Sequence, residues 1–270
     1  MRVLALTVPE PDGELAADRL WVVGARAVEQ LTGKAGTVEL RTMLADSERT
    51  SLERLGRLPA GWSVEFVEIE EAPAQTWREF VQPIEVNQEL VILPAWLTPQ
   101  ELPGVLEVEI EPGGSFGLGD HPTTRLSADA TWKLCKPGAR VLDVGSGSGV
   151  LSIIAARRGA SEVVAIDIAE VARHATDDNA LRNGVSDRIT ASTTAIADIE
   201  GSFDLVVANV LAPALVAMSE DLRRLTAPLG RLVLSGLLAG CHDHVVAALD
   251  PMRVIATSEL EGWAAVVLGH

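Results

Sequence analysis

Two rhythms of apolar and polar positions run along the chain. In the first 71 residues, strand-like and helix-like patterns alternate. "RVLALTV" reads as a strand, and "GELAADRLWVVGARAVEQL" has helical spacing at Leu15, Leu20, Val23 and Val28. "GTVELRTML" reads as a strand, "DSERTSLERLGRL" as a helix, and "WSVEFVEIE" as a strand alternating at Val64, Phe66 and Ile69. This β-α-β-α-β order predicts a small α+β unit over residues 1–71. Residues 72–104 read as a connector, with a short helix around Trp77 to Phe80 and, past Pro83, an apolar strand "LVILP".

From Leu106 the rhythm changes. "VLEVEIEP" is a strand, "GSFGLGDHPTTRLSADATWKLC" is a glycine-rich run passing into a helix, and strictly alternating elements follow. "RVLDVG", "EVVAIDI", "ITAST", "FDLVVANVL" and "GRLVLSGLL" are strands; "GVLSIIAARRG", "AEVARHATDDNALRNG", "APALVAMSEDLRRL" and "CHDHVVAAL" are helices. Strands rich in Val, Ile and Leu, alternating with helices, predict a parallel sheet covered on both faces. Residues 105–270 are therefore expected to form an α/β domain with a doubly wound, Rossmann-like sheet.

The chemistry concentrates where these strands end. "VLDVGSGSGVLSI" is strand, glycine turn, helix, with Asp143 closing the strand and Gly145, Gly147 and Gly149 forming the turn. Glycines there admit positive φ and close approach of a ligand, and the following helix points its amides at what is bound. A dinucleotide fingerprint needs G-x-G-x-x-G, but the position for its third glycine is Val150. The G-x-G-x-G spacing after an acidic residue is instead that of class I S-adenosylmethionine-dependent methyltransferases, which need no pyrophosphate cradle. Asp167 ends the next strand, about 24 residues beyond Asp143, where a carboxylate can hold both ribose hydroxyls; a cap on the following helix is the structural alternative. Asn209 ends the fourth strand of this series, placed to meet the methionine part of the cofactor or an incoming amine, with a local turn as the alternative.

Composition narrows the class. Apolar residues make up 47% of 270, enough for a packed core. A formal net charge of -16 opposes a sequence-independent grip on nucleic acid and suits either simple solubility or a basic protein partner. Cys135 and Cys241 lie far apart and outside any metal-spaced cluster, and the five histidines show no ligand spacing, so no metal is expected. The N-terminus lacks a signal-peptide pattern and no apolar stretch is long enough for a membrane helix, which reads as a cytoplasmic chain without a membrane partner.

Taken together, "FGLGDHPTTRL", "VLDVGSGSGVLSI", "VVAIDI", "DDNALRNGVSDR" and "DLVVANVLAPAL" resemble the PrmA family, whose members methylate protein eleven of the large ribosomal subunit. The resemblance covers roughly Leu106 to the end and extends into "TWREFVQPIEV" and "LVILPAW". It implies S-adenosylmethionine as cofactor, lysine and N-terminal amines of a ribosomal protein as substrate, and an N-terminal domain that captures that protein. The family's F-G-T-G-x-H-x-T-T frame is kept at Phe116, Gly117, Gly119, His121, Thr123 and Thr124. On that frame Phe116, Gly117, His121 and Thr124 join Gly145, Gly147, Asp167 and Asn209 as cofactor-binding candidates. Phe116 would cover an apolar face near the reactive methyl, and Thr124 would start the helix and offer its hydroxyl. Asn209 is also the catalytic candidate, orienting a neutral amine. Leu118, where the family has threonine, and Asp120 depart from the frame. Competing readings are a related enzyme acting on another protein's lysines or on a small amine, a binding module without activity, and a nucleotide-dependent dehydrogenase, the last disfavoured by Val150.

Overall fold

In a computed structural model, residues 2–22, 25–33, 36–44, 52, 55–68, 81–100, 102–111 and 117–270 are described. The chain divides into two compact units, Met1–Phe80 and Val81–His270.

In the smaller unit, β1 (Arg2–Pro9), β2 (Ala25–Thr32), β3 (Thr37–Leu44) and β4 (Ser63–Glu68) form one antiparallel sheet in the order β2-β3-β1-β4. Helix α1 (Gly13–Val22) buries Ala16 and Leu20, one turn apart, with Leu4, Leu6, Val8 and Leu40. The expected single helix over "GELAADRLWVVGARAVEQL" is thus half helix and half strand. Gly24 separates the two halves in the sequence. Beyond it "ARAVEQLT" pairs with β3, Val28 opposite Thr42 and Gln30 opposite Leu40. The helices expected over "DSERTSLERLGRL" and around Trp77 to Phe80 lie largely or wholly outside the described residues, although Leu55 is buried in this core.

The larger unit starts inside the expected connector. There β5 (Ile84–Asn87) and β6 (Leu90–Pro94) pair antiparallel, and β6 pairs in parallel with β7 (Leu106–Ile110) to make a separate three-stranded sheet. Every residue of β6 is buried, which explains its unbroken apolar run.

The main sheet has seven strands: β8 (Arg140–Val144), β9 (Glu162–Ile166), β10 (Ile189–Ser192), β11 (Phe203–Asn209), β12 (Thr226–Leu238), β13 (Arg253–Leu260) and β14 (Trp263–Gly269). Their order is β10-β9-β8-β11-β12-β14-β13. The chain winds outward from β8 through β9 to β10, then crosses back to β11, so the topological switch lies between β8 and β11. The predicted doubly wound α/β sheet is borne out, with an unforeseen C-terminal hairpin. In it β14 runs antiparallel to both β12 and β13, and the exposed strand β13 forms the sheet edge with little apolar patterning to announce it.

Strand alternation sorts the side chains into two cores. Val141, Leu205 and Val207 pack with α2 (Pro122–Leu134), α3 (Val150–Arg157) and α4 (Glu170–Arg182) on one face. Leu142, Val144, Val206 and Ala208 pack on the other with α5 (Ala212–Ala217), α6 (Ser219–Leu225) and α7 (Asp243–Ala248). Both faces are covered, so the rim at the strands' carboxyl ends is where a ligand can reach the sheet.

Candidate active site

At that rim β8 runs into the glycine turn. Gly145, Gly147 and Gly149 have φ of 75°, 54° and 80°, a region that costs other residues about 1–2 kcal/mol. A side chain on Gly145 would strike Val210, and one on Gly149 would meet Thr176 of α4 at 2.8 Å. The first glycine therefore clears the end of β11, and the third lets α4 pack against the turn.

Asp143 follows Val141 onto the α3 face of β8, where it is 1% exposed. Its Oδ2 accepts the backbone N–H of Ser152 at 3.1 Å and the Ser152 hydroxyl at 2.6 Å. This carboxylate caps an amide of the first turn of α3 and fixes the helix to its strand. Its Oδ1 has no hydrogen-bond partner among the described residues. Burial pushes the carboxyl up to about 6; the Ser152 bonds oppose that, and the charge of Asp167 adds to it.

Asp167 stands just past β9. Its Oδ2 accepts the Gly147 N–H at 3.0 Å and its Oδ1 the Ala169 N–H at 2.9 Å. The helix cap expected as its alternative role is not what it does, since Ala169 occupies that position before α4. Asp167 instead bridges the glycine turn to the β9–α4 turn. Each oxygen of an ionised carboxylate has about two acceptor sites, so both retain capacity for a ribose hydroxyl. The next residue, Ile168, is fully exposed. This apolar side chain is left entirely in water at the rim, and sequence reading passed over it because an isolated isoleucine after a strand carries no pattern.

The two glycine-rich segments touch. The Ser148 hydroxyl donates to the Gly117 carbonyl at 2.6 Å, and Gly117 and Gly119 have φ of 103° and 114°. A side chain at Gly119 would meet Ile92 at 2.8 Å, so the segment lies against β6. Phe116 lies outside the described residues.

Helix α2 begins at Pro122, with His121 as its N-cap, whereas Thr124 was expected to start it. Proline at the first helical position gives up no hydrogen bond and presets φ. The His121 Nδ1 accepts the Thr123 N–H at 3.3 Å and lies 2.8 Å from the Thr123 hydroxyl. The His121 ring meets Trp263 edge-on, centroids 5.0 Å apart. Burial holds its pKa below the usual value, against the raising charges of Asp120 and Glu261. His121 is thus occupied by a structural bond. Trp263 and Glu261, brought in by the unforeseen hairpin, were out of reach of sequence reasoning. Thr124, inside the first turn of α2, is 1% exposed and its hydroxyl has no partner among the described residues.

Asn209 closes β11 beside the switch point, half-buried. Its side-chain amide makes no hydrogen bond within the described residues, while its neighbour Val210 packs over Gly145. The rim therefore gathers a positive-φ glycine turn, a bridging carboxylate, an exposed isoleucine, an orphaned hydroxyl and a free amide.

A family model described as ribosomal protein L11 methyltransferase (PrmA) matches residues 33–270. The chain belongs to this family. Among its relatives, the ribosomal protein L11 methyltransferase of Symbiobacterium thermophilum is 38% identical over 240 residues, covering 87% of this chain and 77% of that one. The protein of the same name from Citrifermentans bemidjiense is 41% identical over 197 residues, or 71% of this chain. The chain thereby spans 64% of that relative's length. A crystal structure of ribosomal protein L11 methylase from Lactobacillus delbrueckii subsp. bulgaricus is 30% identical with a TM-score of 0.65, covering 70% of this chain and all of that one. Membership in the L11 methyltransferase family agrees with the frame at 116–124 that carried the resemblance, and the fold of that solved relative agrees with the doubly wound sheet.

Proposed function

We propose that this chain is an S-adenosylmethionine-dependent protein methyltransferase acting on lysine and N-terminal amines of ribosomal protein L11. The observation that carries the reading is the glycine turn bridged by Asp167 at the switch point. A pyrophosphate has no cradle there, because the position for a third dinucleotide glycine is Val150, the first residue of α3. A nucleoside bearing an amino-acid tail fits the donor set instead. Asp167 would hold the ribose hydroxyls, Ile168 would cover the base, and the orphaned Thr124 hydroxyl and free Asn209 amide would meet the tail. Gly145 and Gly147 keep the turn open, Gly117 closes on it through Ser148, and His121 supports this edge by fixing the start of α2.

Bound S-adenosylmethionine supplies a sulfonium methyl open to attack by an amine. The chain's own task is to bring a neutral amine in line. A lysine with a pKa of about 10.4 or an α-amine near 8 must first lose a proton. The free carbonyl of Asn209 accepts a hydrogen bond from the incoming nitrogen and orients its lone pair, while the proton leaves to solvent. Positioning of this kind supplies much of the acceleration. The formal charge of -16 favours encounter with a basic protein. No helix among the described residues is long and apolar enough to cross a membrane.

The test is incubation of the chain with S-adenosylmethionine and ribosomal protein L11, read by mass spectrometry. A mass gain of whole methyl groups on amines is expected. Cofactor binding with methylation of some other protein from a cell extract would remove the substrate and leave the chemistry. Calorimetric binding of NAD in place of S-adenosylmethionine would overturn both.

A further inference from the structure

Helix α4 carries a buried polar stripe that the cofactor reading does not use. Thr176 and Asn179 are wholly buried, and Asn183 lies one turn further on. Asn183 donates to the Glu109 carbonyl at 2.7 Å and accepts the Glu109 N–H at 3.0 Å. Asn179 does the same to Glu111, donating at 2.8 Å and accepting at 2.9 Å. Four helical residues rise about 6 Å and two strand residues about 6.6 Å, so side chains one turn apart on α4 match alternate residues along the edge of β7. The two amides act as a substitute strand for an edge that would otherwise leave these backbone groups unpaired.

Each amide makes a third bond: that of Asn183 goes to the Asn179 carbonyl at 2.8 Å, within the end of its own helix, and only that of Asn179 reaches the glycine turn. Its Nδ2 also donates to the Ser148 carbonyl at 2.9 Å, in the middle of the glycine turn. Ser148 in turn bonds Gly117 through its hydroxyl at 2.6 Å. Thr176, one turn earlier, donates to the Gly147 carbonyl at 3.3 Å. The residues on either side of 112–116 are therefore both tied to Ser148, Glu111 through Asn179 and Gly117 directly.

We propose that Asn179 is a positioning residue for cofactor binding: through the Ser148 carbonyl it fixes the glycine turn in register with the segment that precedes α2. This rests on the S-adenosylmethionine reading of the site. By occupying carbonyls from behind, α4 sets the turn without consuming donors on its ligand side. Asn183 makes the same pair of bonds to β7 but does not reach the turn, so it separates positioning from support of the fold.

The experiment compares the wild-type chain, Asn179→Ala and Asn183→Ala by calorimetric titration with S-adenosylmethionine, thermal melting and hydrogen exchange. Both variants lose two bonds to β7 and are expected to melt earlier. Asn179→Ala should bind about tenfold more weakly or worse, the effect of one lost buried hydrogen bond, with faster amide exchange across 145–152. Asn183→Ala should stay within about twofold of wild type in affinity, well below the effect of a net hydrogen bond. A folded Asn179→Ala chain with wild-type affinity, or equal weakening by both variants, overturns the proposal. Should Asn179→Ala fail to fold, Ser148→Ala removes the other link; about fivefold weaker binding is expected, and unchanged affinity refutes it. A wild-type chain that does not bind S-adenosylmethionine overturns the functional reading first and this one with it.

Discussion

Asp143 is a carboxylate held in the sheet at a cost that pH reveals. Fully buried, it receives two hydrogen bonds from Ser152 on one oxygen and none on the other among the described residues, and burial raises its carboxyl from 3.8 to about 6. Between those values the folded protein holds a proton that the unfolded chain has released. The folded state then binds more protons, so stability falls as pH rises through this window and stays lower above it. A shift of about two units corresponds to roughly 3 kcal/mol. Asp143→Asn keeps the shape and an oxygen to accept from Ser152 but cannot ionise. Relative to wild type, the variant should therefore gain roughly 2.5 kcal/mol between pH 4 and pH 8, most of it by pH 7, the rest of the roughly 3 kcal/mol lying below pH 4. In a unit of this size that is a differential shift of roughly 5–10 °C in melting temperature. Scanning calorimetry of both chains at half-unit pH steps measures it, and contributions from titrating groups that do not interact with Asp143 cancel in the difference. Melting temperatures that run parallel from pH 4 to pH 8 would show that Asp143 titrates normally, and the account of its burial would be wrong.

Three further outcomes follow from the site. Gly145→Ala places a side chain at φ 75° and against Val210; a loss of about 1–2 kcal/mol from backbone strain alone and a marked drop in S-adenosylmethionine affinity are expected, and a variant that melts and binds like wild type contradicts the turn's role. Asn209→Ala should lower turnover about a hundredfold through lost orientation while cofactor affinity changes far less; methyl transfer at the wild-type rate on L11 removes Asn209 from the mechanism. Ile168→Ser should weaken cofactor binding about tenfold by withdrawing apolar cover without lowering the melting temperature, since the side chain is fully exposed in the free chain; unchanged affinity places the nucleobase elsewhere.

The local sequence determined the parts of this protein whose cause is local. The apolar runs of β8, β9 and β11 read as buried parallel strands because each is covered on both faces. The glycine turn was legible because positive φ is a property of single residues, and Asp167 and Asn209 were placed at strand ends by counting. What failed was what depends on partners far along the chain. "ARAVEQLT" carries an ambiguous period, and only β3 made it a strand. The hairpin β13–β14 gave little warning because β13 is exposed at all but its last residue, yet it delivers Trp263 to the ring of His121. Thr124 does not start its helix, which begins two residues earlier, at a proline. Asn179 and Asn183 stood in plain view in "DDNALRNG", but two asparagines on a helix have no meaning until the edge of β7 lies within reach of their amides. A hydrogen bond between segments about 70 residues apart is decided by the packing of α4 against β7, and no periodicity within either segment records it.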